Sequence, residues 1–417
     1  MSQKSIPVIK DREIAIVGMS CLFPKARNLN EFWTNIVSKK DCISDIPETH
    51  WDPKDYFSED LKDPDKTYCK RGGFLPFVEF DPMQYGIGPK DLDVIDTAQL
   101  LGMKVAREAL KDAGYLSDEG GREFDRDRCA AIVGTTSITE LTTPLNKRLS
   151  YPVIDKVLEQ HGIPSEMRDS ITQQYRDSYP IWQENSFPGV LGNVVSGRIA
   201  SHLNLGGTNC VIDAACASAL GAVKMAADAL LTGTCDMAIT GGVDTENNIF
   251  MYMCFSKTPA FSKEGKSRPF DASSDGILIA EGIGLMVLKR YQDALRDGDK
   301  IYAVMRSIGS SSDGRGKSIY QPVSEGQAKA VKQAYELGGV TPRDVELLEA
   351  HGTGTPVGDM KEFNGLKFVY GDESEQDKWC AIGSVKSQIG HSKASAGIAG
   401  VMKAALSIYH HVLPPTI

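Results

Sequence analysis

Short apolar runs, most of them ending in or next to a glycine, alternate with longer helical patterns along this chain. Such alternation is typical of a layered α/β architecture, in which strands form a sheet and helices cover its faces. The predicted strands lie at 14–18, 130–134, 211–213, 237–241, 285–289, 345–350 and 381–384. Each is followed by a loop and usually by a helix, so we expect an α/β fold.

The composition supports a large buried core. The chain has 417 residues, of which 41% are hydrophobic and 24% are charged, which excludes a disordered or fibrous protein. The net charge of −9, with no basic run, argues against a nucleic-acid or anionic-membrane surface. The most apolar stretch, 277–288, contains Glu281 and is shorter than the roughly 20 residues of a membrane span.

The termini and cysteines indicate a cytosolic protein. Asp11, Arg12 and Glu13 stand where a signal peptide would need apolar residues, so the sequence predicts that the chain is not secreted. The nine cysteines are scattered and form no CxxC pair, which disfavours structural zinc and predicts reduced thiols. We therefore expect a cytosolic enzyme.

Three polar segments interrupt the α/β pattern. The turn-rich stretches 40–70 and 262–275 are expected to be surface excursions. The insertion 137–188 carries helical patterns near 151–160 and 165–178, so we expect it to be an ordered decoration of the fold.

Cys216 is the first candidate for chemistry. It lies where an apolar strand runs through small residues into a predicted helix. The apolar stripe expected for that helix is Leu220, Val223, Ala227, Leu230 and Leu231, with Lys224 and Asp228 as an outward-facing pair. A thiol at a helix N-terminus is favoured as the nucleophilic thiolate. An inert buried cysteine is an equally weighted alternative for Cys216, and the favoured one for Cys210, Cys235 and Cys254.

Two of the seven histidines directly follow predicted strands. His351 lies in the run EAHGTGTP and His391 in GSVKSQIGH. Loops at the carboxyl ends of strands are where α/β sheets present functional groups, and neighbours such as Gly352 let a ligand approach the backbone. The other histidines have no such setting and are interpreted as surface or core residues: His50, His161, His202, His410 and His411.

Two further polar residues have both a functional and an ordinary interpretation. Lys386 precedes His391 in the same loop, where it would be solvated or would fix a hydrogen-bond network. Glu362 ends the run DMKE, which resembles a capping box and would make it only a helix-start residue. The two interpretations of Glu362 carry equal weight.

Several familiar motifs are absent on inspection. The run that begins at Gly352 lacks the third glycine of a dinucleotide fingerprint, because Val357 stands in its place. Two GKS tripeptides lack the glycine that a phosphate loop needs, and the sequence has no GxSxG elbow. The histidines lack HExxH spacing, so we expect no metal site.

Three motifs together resemble the β-ketoacyl synthases. They are DAACASAL around Cys216, EAHGTGTPVGD around His351 and SVKSQIGHS around His391, and their order and separations also fit that family. The resemblance runs from about residue 12 to the end. It is closest to the ketoacyl synthase domain that opens multidomain polyunsaturated fatty acid synthases, through DKTYCKRGGFL at 65–75, WQENSFPG at 182–189 and FSKTPAFS at 255–262.

The resemblance implies a fold, a division of the chain and residue roles. The fold would be thiolase-like, with five αβαβα layers built from two pseudo-repeated halves, at 10–258 and 259–417, in a homodimer. The roles it implies are the acyl-accepting cysteine for Cys216, the catalytic histidine pair for His351 and His391, supporting positions for Lys386 and Glu362, and contact with the phosphopantetheine arm for Thr353 and Thr355.

The resemblance also implies a reaction. An acyl carrier protein would load Cys216, and malonyl-carrier would lose carbon dioxide to give an enolate that attacks the acyl group. The phosphopantetheine belongs to the carrier, so no metal, nucleotide or redox cofactor is expected in this domain. The expected setting is a cytoplasmic multidomain synthase for polyunsaturated fatty acids or polyketide-type products.

The chain departs from the family pattern in two places. Ala219 stands where many relatives have serine, and the chain ends at Ile417. Family members continue for some tens of residues to a glycine-rich GFGGTN-type loop, so the resemblance predicts a fragment whose C-terminal half is incomplete.

Three alternatives remain open from the sequence. A thiolase acting on CoA esters also uses cysteine and histidine on this fold, but with a second cysteine that abstracts a proton. A non-catalytic chain-length-factor-like subunit would keep the fold and lack the nucleophile. A redox-sensing cysteine protein would oxidise Cys216 reversibly and transfer no acyl group.

Overall fold

A six-stranded mixed sheet forms the centre of the molecule. The computed structural model describes residues 12–117, 120–136, 139–315, 321–371 and 378–417. The strands in these ranges are β1 (Ile14–Leu22), β2 (Ser44–Asp45), β3 (Arg71–Gly72), β4 (Cys129–Gly134), β5 (Asn209–Ile212), β6 (Met237–Asp244), β7 (Gly282–Arg290), β8 (Ala303–Met305), β9 (Leu347–Glu349) and β10 (Ala381–Gly383). All seven predicted strands are confirmed. The two- and three-residue strands β2, β3 and β8 escaped prediction because they are too short for a periodic pattern.

Helices cover both faces of this sheet. Within the described ranges they are α1 (Leu29–Val37), α2 (Pro53–Tyr56), α3 (Thr97–Asp112), α4 (Thr142–Arg148), α5 (Tyr151–Gln160), α6 (Ser165–Asp177), α7 (Ser186–Gly189), α8 (Val194–Leu203), α9 (Ser218–Leu231), α10 (Ile249–Lys257), α11 (Tyr291–Arg296), α12 (Ser324–Gly338), α13 (Pro356–Tyr370), α14 (Lys386–Ile389) and α15 (Ala396–His410). Asn28, Asp96 and Asn248 begin α1, α3 and α10 by accepting a backbone N–H with their side chains.

The sheet has the order β5-β4-β6-β7-β1-β8. β4 runs parallel to β5 and β6, whereas β7 is antiparallel to both β6 and β1. Alternate residues of β1 enter opposite cores. Ile14 and Ile16 pack with α9 and α15 on one face, and Ala15 and Val17 pack with α3 and α8 on the other. The central strands are therefore buried on both faces, as their continuous apolar runs indicate.

Two further layers complete the fold. Helix α15 contacts β7 of the large sheet and also β9, which pairs in parallel with β10. Helices α12 and α13 pack against each other outside this small sheet, and Tyr370 of α13 stacks on Trp379 next to β10. The order of layers is helix, sheet, helix, sheet, helix, which is the expected five-layer αβαβα arrangement.

The predicted surface excursions are partly interior. Trp51 and Cys69 are buried in a separate apolar cluster with Tyr252 and Phe261. His50, next to Trp51, pairs its Nε2 with Oε1 of the buried Glu281 at 2.7 Å. The expectation that 40–70 lies on the surface is wrong for these residues, because their aromatic and thiol side chains pack across the segment that precedes β7.

The insertion contains helices at both predicted positions, α5 and α6, while residues 137 and 138 lie outside the described residues. Tyr175 donates a hydrogen bond to the backbone of Lys147 at 2.9 Å, and Arg168 forms an ion pair with Glu159 at 3.1 Å. Along α4, α5 and α6 only Leu145 and Thr172 are buried. The insertion is thus an ordered helical decoration joined mainly by polar contacts. No helix among the described residues is long and apolar enough to cross a bilayer.

A buried ion pair joins β9 to the helix layer beneath it. Nζ of Lys403, on α15, lies 2.7 Å from Oε2 of Glu349, and the lysine side chain is fully buried. The other carboxylate oxygen of Glu349 accepts the N–H of Val385 at 2.6 Å. The pair therefore holds β9, α15 and the start of α14 in one arrangement.

We predict that Lys403→Met lowers the free energy of unfolding by about 3–5 kcal/mol, because it leaves the Glu349 carboxylate buried without its cation. The double variant Glu349→Gln/Lys403→Met removes both charges and keeps an acceptor for Val385, so it should recover part of that loss. Denaturant unfolding of the two variants measures the difference. Equal losses would contradict a paired role for these charges.

Candidate active site

Cys216 lies on a tight turn between β5 and α9. It is the middle residue of the 3-10 turn Ala215–Ala217, and Ala215 has a φ of +50°, a left-handed conformation that is unusual for a residue with a Cβ. Oγ of Ser218 accepts the N–H of Ala214 at 2.9 Å and donates to the carbonyl of Ala215 at 2.7 Å. The predicted strand-to-helix turn is confirmed, and Ser218 holds it closed.

Helix α9 differs from the predicted stripe at one position. Val223, Ala227 and Leu230 are buried, and the predicted pair of Lys224 with Asp228 forms at 2.5 Å. Leu220, however, is 44% exposed. It lies at the N-terminal end of α9 over Gly397 of α15, so only part of its side chain is covered.

The cysteines outside the site also need one correction. Cys235 is buried and Cys210 is half-buried, but Cys254 is exposed. Its prediction as a buried residue is wrong because it lies on the outer side of α10.

Two glycines allow two backbone segments of the site to pack directly against the large sheet. A Cβ on Gly134, at the end of β4, would lie 2.4 Å from the backbone N of Ala219. A Cβ on Gly242 of β6 would lie 2.8 Å from Cα of Ser395. Since backbone atoms occupy the space of a side chain, α9 and the segment after His391 rest directly on adjacent strands.

The Cys216 thiol is not a free thiolate. Burial raises the pKa of Cys216, the positive charge of Lys386 opposes this rise, and the buried Asp244 adds to it. The expectation that the helix N-terminus favours the thiolate is wrong. The pKa of Cys216 is raised rather than lowered, because the sulfur loses more hydration energy on burial than the favourable charges return. The sulfur is half-buried, and its burial favours the protonated thiol.

His351 follows β9, and hydrogen bonds from its backbone and from the next residue hold it in place. Its N–H donates to Oε1 of Glu362 at 2.7 Å, and the N–H of Gly352 donates to Oε2 at 2.8 Å. The residue is exposed. Desolvation and then the charge of Lys386 lower the pKa of His351, and the water that reaches its exposed edge moderates this effect.

The structure decides between the two interpretations of Glu362. Helix α13 begins at Pro356, and its cap is Thr355, whose Oγ1 accepts the N–H of Gly358 at 3.2 Å. Glu362 therefore lies well inside the helix and is no capping-box residue. Its carboxylate instead fixes the turn that carries His351, a role the sequence pattern does not reveal.

The segment between His351 and α13 is fixed by a carboxylate that the sequence analysis missed. Asp359 accepts the N–H of Gly354 at 3.0 Å and of Phe270 at 2.7 Å. Thr353 and Thr355 lie 3.0 Å apart at their hydroxyl oxygens. Because Oγ1 of Thr355 already caps α13, the predicted contact of these threonines with a substrate stays a prediction.

His391 is buried, and its hydrogen bonds define its tautomer. Its backbone bridges Leu278 and Ala280, with N···O distances of 2.7 and 2.9 Å. Nδ1 of its ring accepts the N–H of Lys393 at 3.0 Å. Burial first, and then the charge of Lys386, lower its pKa well below the ordinary value. A neutral imidazole that accepts at Nδ1 carries its proton on Nε2, so His391 presents an Nε2–H donor.

The structure brings the three predicted catalytic residues together. Sγ of Cys216 and a ring nitrogen of both His351 and His391 all lie within 4.8 Å of one another. The two imidazole rings are 5.3 Å apart and perpendicular. Three possible metal ligands meet here without HExxH spacing, and the expectation of no metal site stays a prediction. The Nδ1 bond of His391 nevertheless keeps Nε2 protonated, which makes this ring a donor rather than a ligand.

Lys386 is buried near enough to this cluster for its charge to act on all three residues. It is the first residue of α14 and only 4% exposed, so the solvated-loop interpretation is wrong. Burial lowers its pKa, and the charges of Glu349, Glu362 and Cys216 oppose this. Its charge acts on Cys216, His351 and His391, which places it at the electrostatic centre of the site.

Two family models identify the family to which this chain belongs. Residues 11–294 match the family model described as beta-ketoacyl synthase, N-terminal domain, and residues 302–417 match the model of its C-terminal domain. The chain belongs to the β-ketoacyl synthase family, and the resemblance seen in the three motifs is confirmed. The predicted division at residue 258 stays a prediction.

Two curated relatives indicate the setting in which such domains occur. The chain is 44% identical to a subunit of the polyunsaturated fatty acid synthase of Thraustochytrium sp. over 410 residues, which are 98% of this chain and 14% of that protein. It is 35% identical to polyketide synthase PksN of Bacillus subtilis over 412 residues, which are 97% of this chain and 7% of that protein. The chain thus spans a small fraction of the relatives that it matches.

Solved structures confirm the thiolase-like fold. The ketosynthase from module 6 of the bacillaene synthase of Bacillus subtilis superposes with a TM-score of 0.80 and 32% identity, covering 97% of this chain and 62% of that one. A keto synthase–chain length factor, PfaC, superposes with a TM-score of 0.82 and 32% identity, covering 95% of this chain and 41% of that one.

The lowered pKa values of His351 and His391 predict how stability depends on acid. Below about pH 6.5, the ordinary histidine pKa, the unfolded chain binds protons that these rings refuse in the folded protein. The free energy of unfolding should therefore fall as the pH drops below that value.

An NMR titration of the histidine rings, assigned with His351→Gln and His391→Gln, checks the same prediction directly. Both rings should remain neutral at about pH 6. A ring of either residue that titrates at or above the ordinary histidine pKa would contradict it.

Proposed function

We propose that this chain is a β-ketoacyl-[acyl carrier protein] synthase that joins malonyl-carrier to an acyl group held on Cys216. The observation that carries the proposal is the meeting of the Cys216 sulfur with nitrogens of His351 and His391 within 4.8 Å. A nucleophile and two neutral imidazoles at one point are the groups that acyl transfer and enolate formation need.

The first step loads the enzyme. Sγ of Cys216 attacks the thioester carbonyl of an acyl carrier, the new S–C bond forms, and the carrier sulfur leaves. The thiol proton passes to that leaving sulfur, which is released as the free carrier thiol. Since burial raises the pKa of Cys216 while Lys386 lowers it, thiolate forms as the substrate binds, and the lysine charge stabilises it.

The second step breaks a C–C bond in malonyl-carrier. Carbon dioxide leaves, and the electron pair of that bond passes to the thioester oxygen as an enolate. The Nε2–H of His391, fixed by the bond at Nδ1, donates to this oxygen, and His351 provides the second donor. A donor aimed at developing charge contributes about 3 kcal/mol to lowering the barrier.

The third step makes the product. The enolate carbon attacks the carbonyl of the acyl-Cys216 thioester and expels the cysteine sulfur, which takes up a proton. The product is a β-ketoacyl-carrier that is longer by two carbons. Lys386 supports the site by its charge, and Glu362 supports it by holding the turn of His351. Thr353 and Thr355 are proposed to contact the phosphopantetheine arm.

The partners follow from this chemistry. An acyl carrier protein brings both thioesters on its phosphopantetheine, and the domain itself binds no cofactor and no metal. The relatives support a place in a multidomain synthase of polyunsaturated fatty acids or polyketide-type products. A homodimer is part of the proposal, supported by β5, which is an outer strand of the large sheet and offers its edge to a second copy.

The alternatives fit less well. A chain-length-factor-like subunit is not favoured, because the chain keeps Cys216 on the turn before α9, with its Sγ within 4.8 Å of a ring nitrogen of each histidine. A thiolase would turn over acetyl-CoA without loss of carbon dioxide, and it would use a second cysteine. In the described residues no second cysteine lies in the cluster of Cys216, His351 and His391.

A redox sensor would show reversible oxidation of Cys216 without acyl transfer.

Intact-protein mass spectrometry after mixing with an acyl-carrier thioester tests the first step. The parent chain should gain one acyl group and Cys216→Ala none. Cys254→Ala is the matched control, since Cys254 is the exposed cysteine and its loss should leave the adduct unchanged. An acyl adduct that persists in Cys216→Ala would refute the assignment of the nucleophile.

Malonyl decarboxylation separates the remaining steps. Cys216→Ala should abolish elongation and retain carbon dioxide release, because the enolate forms without the thiol. His351→Ala or His391→Ala should lower that release by about 10²–10³-fold, as for the loss of one oxyanion donor. Elongation by Cys216→Ala, or full carbon dioxide release by either histidine variant, would contradict the mechanism.

A further inference from the structure

Lys393 is a buried lysine that neither the motifs nor the reaction steps above use. It is 4% exposed. Its Nζ lies 2.9 Å from Oδ1 of Asp244, and donates to Oδ1 of Asn247 at 3.0 Å and to the carbonyl of Ala280 at 2.7 Å. Three oxygens thus surround the three protons of this ammonium group, so the side chain has one fixed position.

The backbone of the same residue is strained. Lys393 has a φ of +44°, a left-handed conformation that is unfavourable for a residue with a Cβ. Such a conformation persists only where surrounding contacts hold it. The ammonium contacts are contacts of that kind, because they tie the far end of this side chain to β6 and to the segment before β7.

Asp244 holds the next residue as well. Its Oδ2 accepts the N–H of Ala394 at 3.0 Å, while its Oδ1 faces the ammonium of Lys393. Asp244 ends β6 and is 2% exposed. A single carboxylate therefore fixes both the side chain of Lys393 and the peptide that follows it.

The strained turn has one direct contact with the reaction centre. The N–H of Lys393 donates to Nδ1 of His391 at 3.0 Å, which is the bond that keeps the proton of His391 on Nε2. If the turn relaxed to an ordinary right-handed conformation, this N–H would point elsewhere. Nδ1 would then be free to carry the proton, and Nε2 would lose its ability to donate.

We propose that Lys393 is a positioning residue, whose ammonium group, anchored by Asp244, Asn247 and the Ala280 carbonyl, holds the turn that keeps His391 as an Nε2–H donor. The role deepens the proposed function and rests on it for its catalytic consequence. The structural part, the control of a tautomer, stands on the contacts of the folded chain and is measurable without any substrate.

The structural part is tested by long-range ¹H–¹⁵N NMR of the histidine rings in the folded protein, with the His391 signals assigned by their loss in His391→Gln. The parent should show the Nε2–H pattern. Lys393→Met keeps the Cβ strain and removes the anchor, so His391 should shift towards Nδ1–H. Lys393→Gly also lacks the anchor but adopts the left-handed conformation without a Cβ penalty, and should lie between the two.

A matched control separates this effect from a general loss of packing. Lys289 is also a buried lysine, with Asp297 at 2.6 Å and Asp299 at 2.7 Å, and makes no contact with His391. Lys289→Met should lower stability and leave the His391 pattern unchanged. Should Lys393→Met fail to fold, Asp244→Asn removes the charge that anchors the turn and should shift the tautomer in the same direction.

A parent-like His391 pattern in Lys393→Met, or in Asp244→Asn where the first does not fold, overturns the proposal. The same shift in Lys289→Met overturns it as well.

The kinetic readout is carbon dioxide release from malonyl-carrier. Its kcat should fall by about 10- to 100-fold in Lys393→Met with KM little changed. That loss is smaller than the roughly 10⁴-fold cost of a wrong tautomer in a serine-protease triad. Acyl loading of Cys216 should persist.

The two proposals fail in different ways. If the parent chain releases no carbon dioxide but Lys393→Met still shifts the His391 tautomer, the proposed reaction is wrong and the positioning role holds. If decarboxylation is normal in the parent and unchanged in Lys393→Met, the reaction holds and the positioning role is wrong.

Discussion

The site depends on backbone packing at the ends of adjacent strands. Gly134 and Gly242 lack side chains where the start of α9 and the segment after His391 reach the sheet. The thiol turn and a histidine therefore rest on neighbouring strands, and β9 brings the second histidine from the other layer. Residues far apart in the sequence meet within 4.8 Å because two sheets share the helices between them.

Burial then sets the protonation of the site. It raises the pKa of Cys216 and lowers the pKa of His391, so it favours the neutral thiol and the neutral imidazole. Neutral imidazoles suit a reaction in which negative charge develops on a substrate oxygen, because an imidazole fixed by one nitrogen donates through the other. Glu362 fixes the backbone of His351, and the backbone N–H of Lys393 fixes the ring of His391.

The strand patterns predicted an α/β fold and the long strands, because such patterns are properties of short segments. The five layers and the roles of the three central residues came from the family resemblance of the motifs. The sequence analysis could not predict the partners of those residues. Glu362 looked like a capping residue because DMKE fits that pattern locally, yet Thr355 begins the helix. Lys393 carried no signal, since its φ and its bond to Asp244 arise only when β6 packs beside the His391 segment. The pKa of Cys216 was misjudged because a helix end is visible in the sequence and burial is not.

The proposed mechanism requires that both histidines face the oxygen on which the enolate charge develops. The most direct measurement is a crystal structure of the Cys216→Ala chain with a malonyl-thioester analogue that cannot lose carbon dioxide. We expect the thioester oxygen to lie within about 3.2 Å of Nε2 of His391 and of a ring nitrogen of His351. A bound analogue whose thioester oxygen points away from both rings would contradict it.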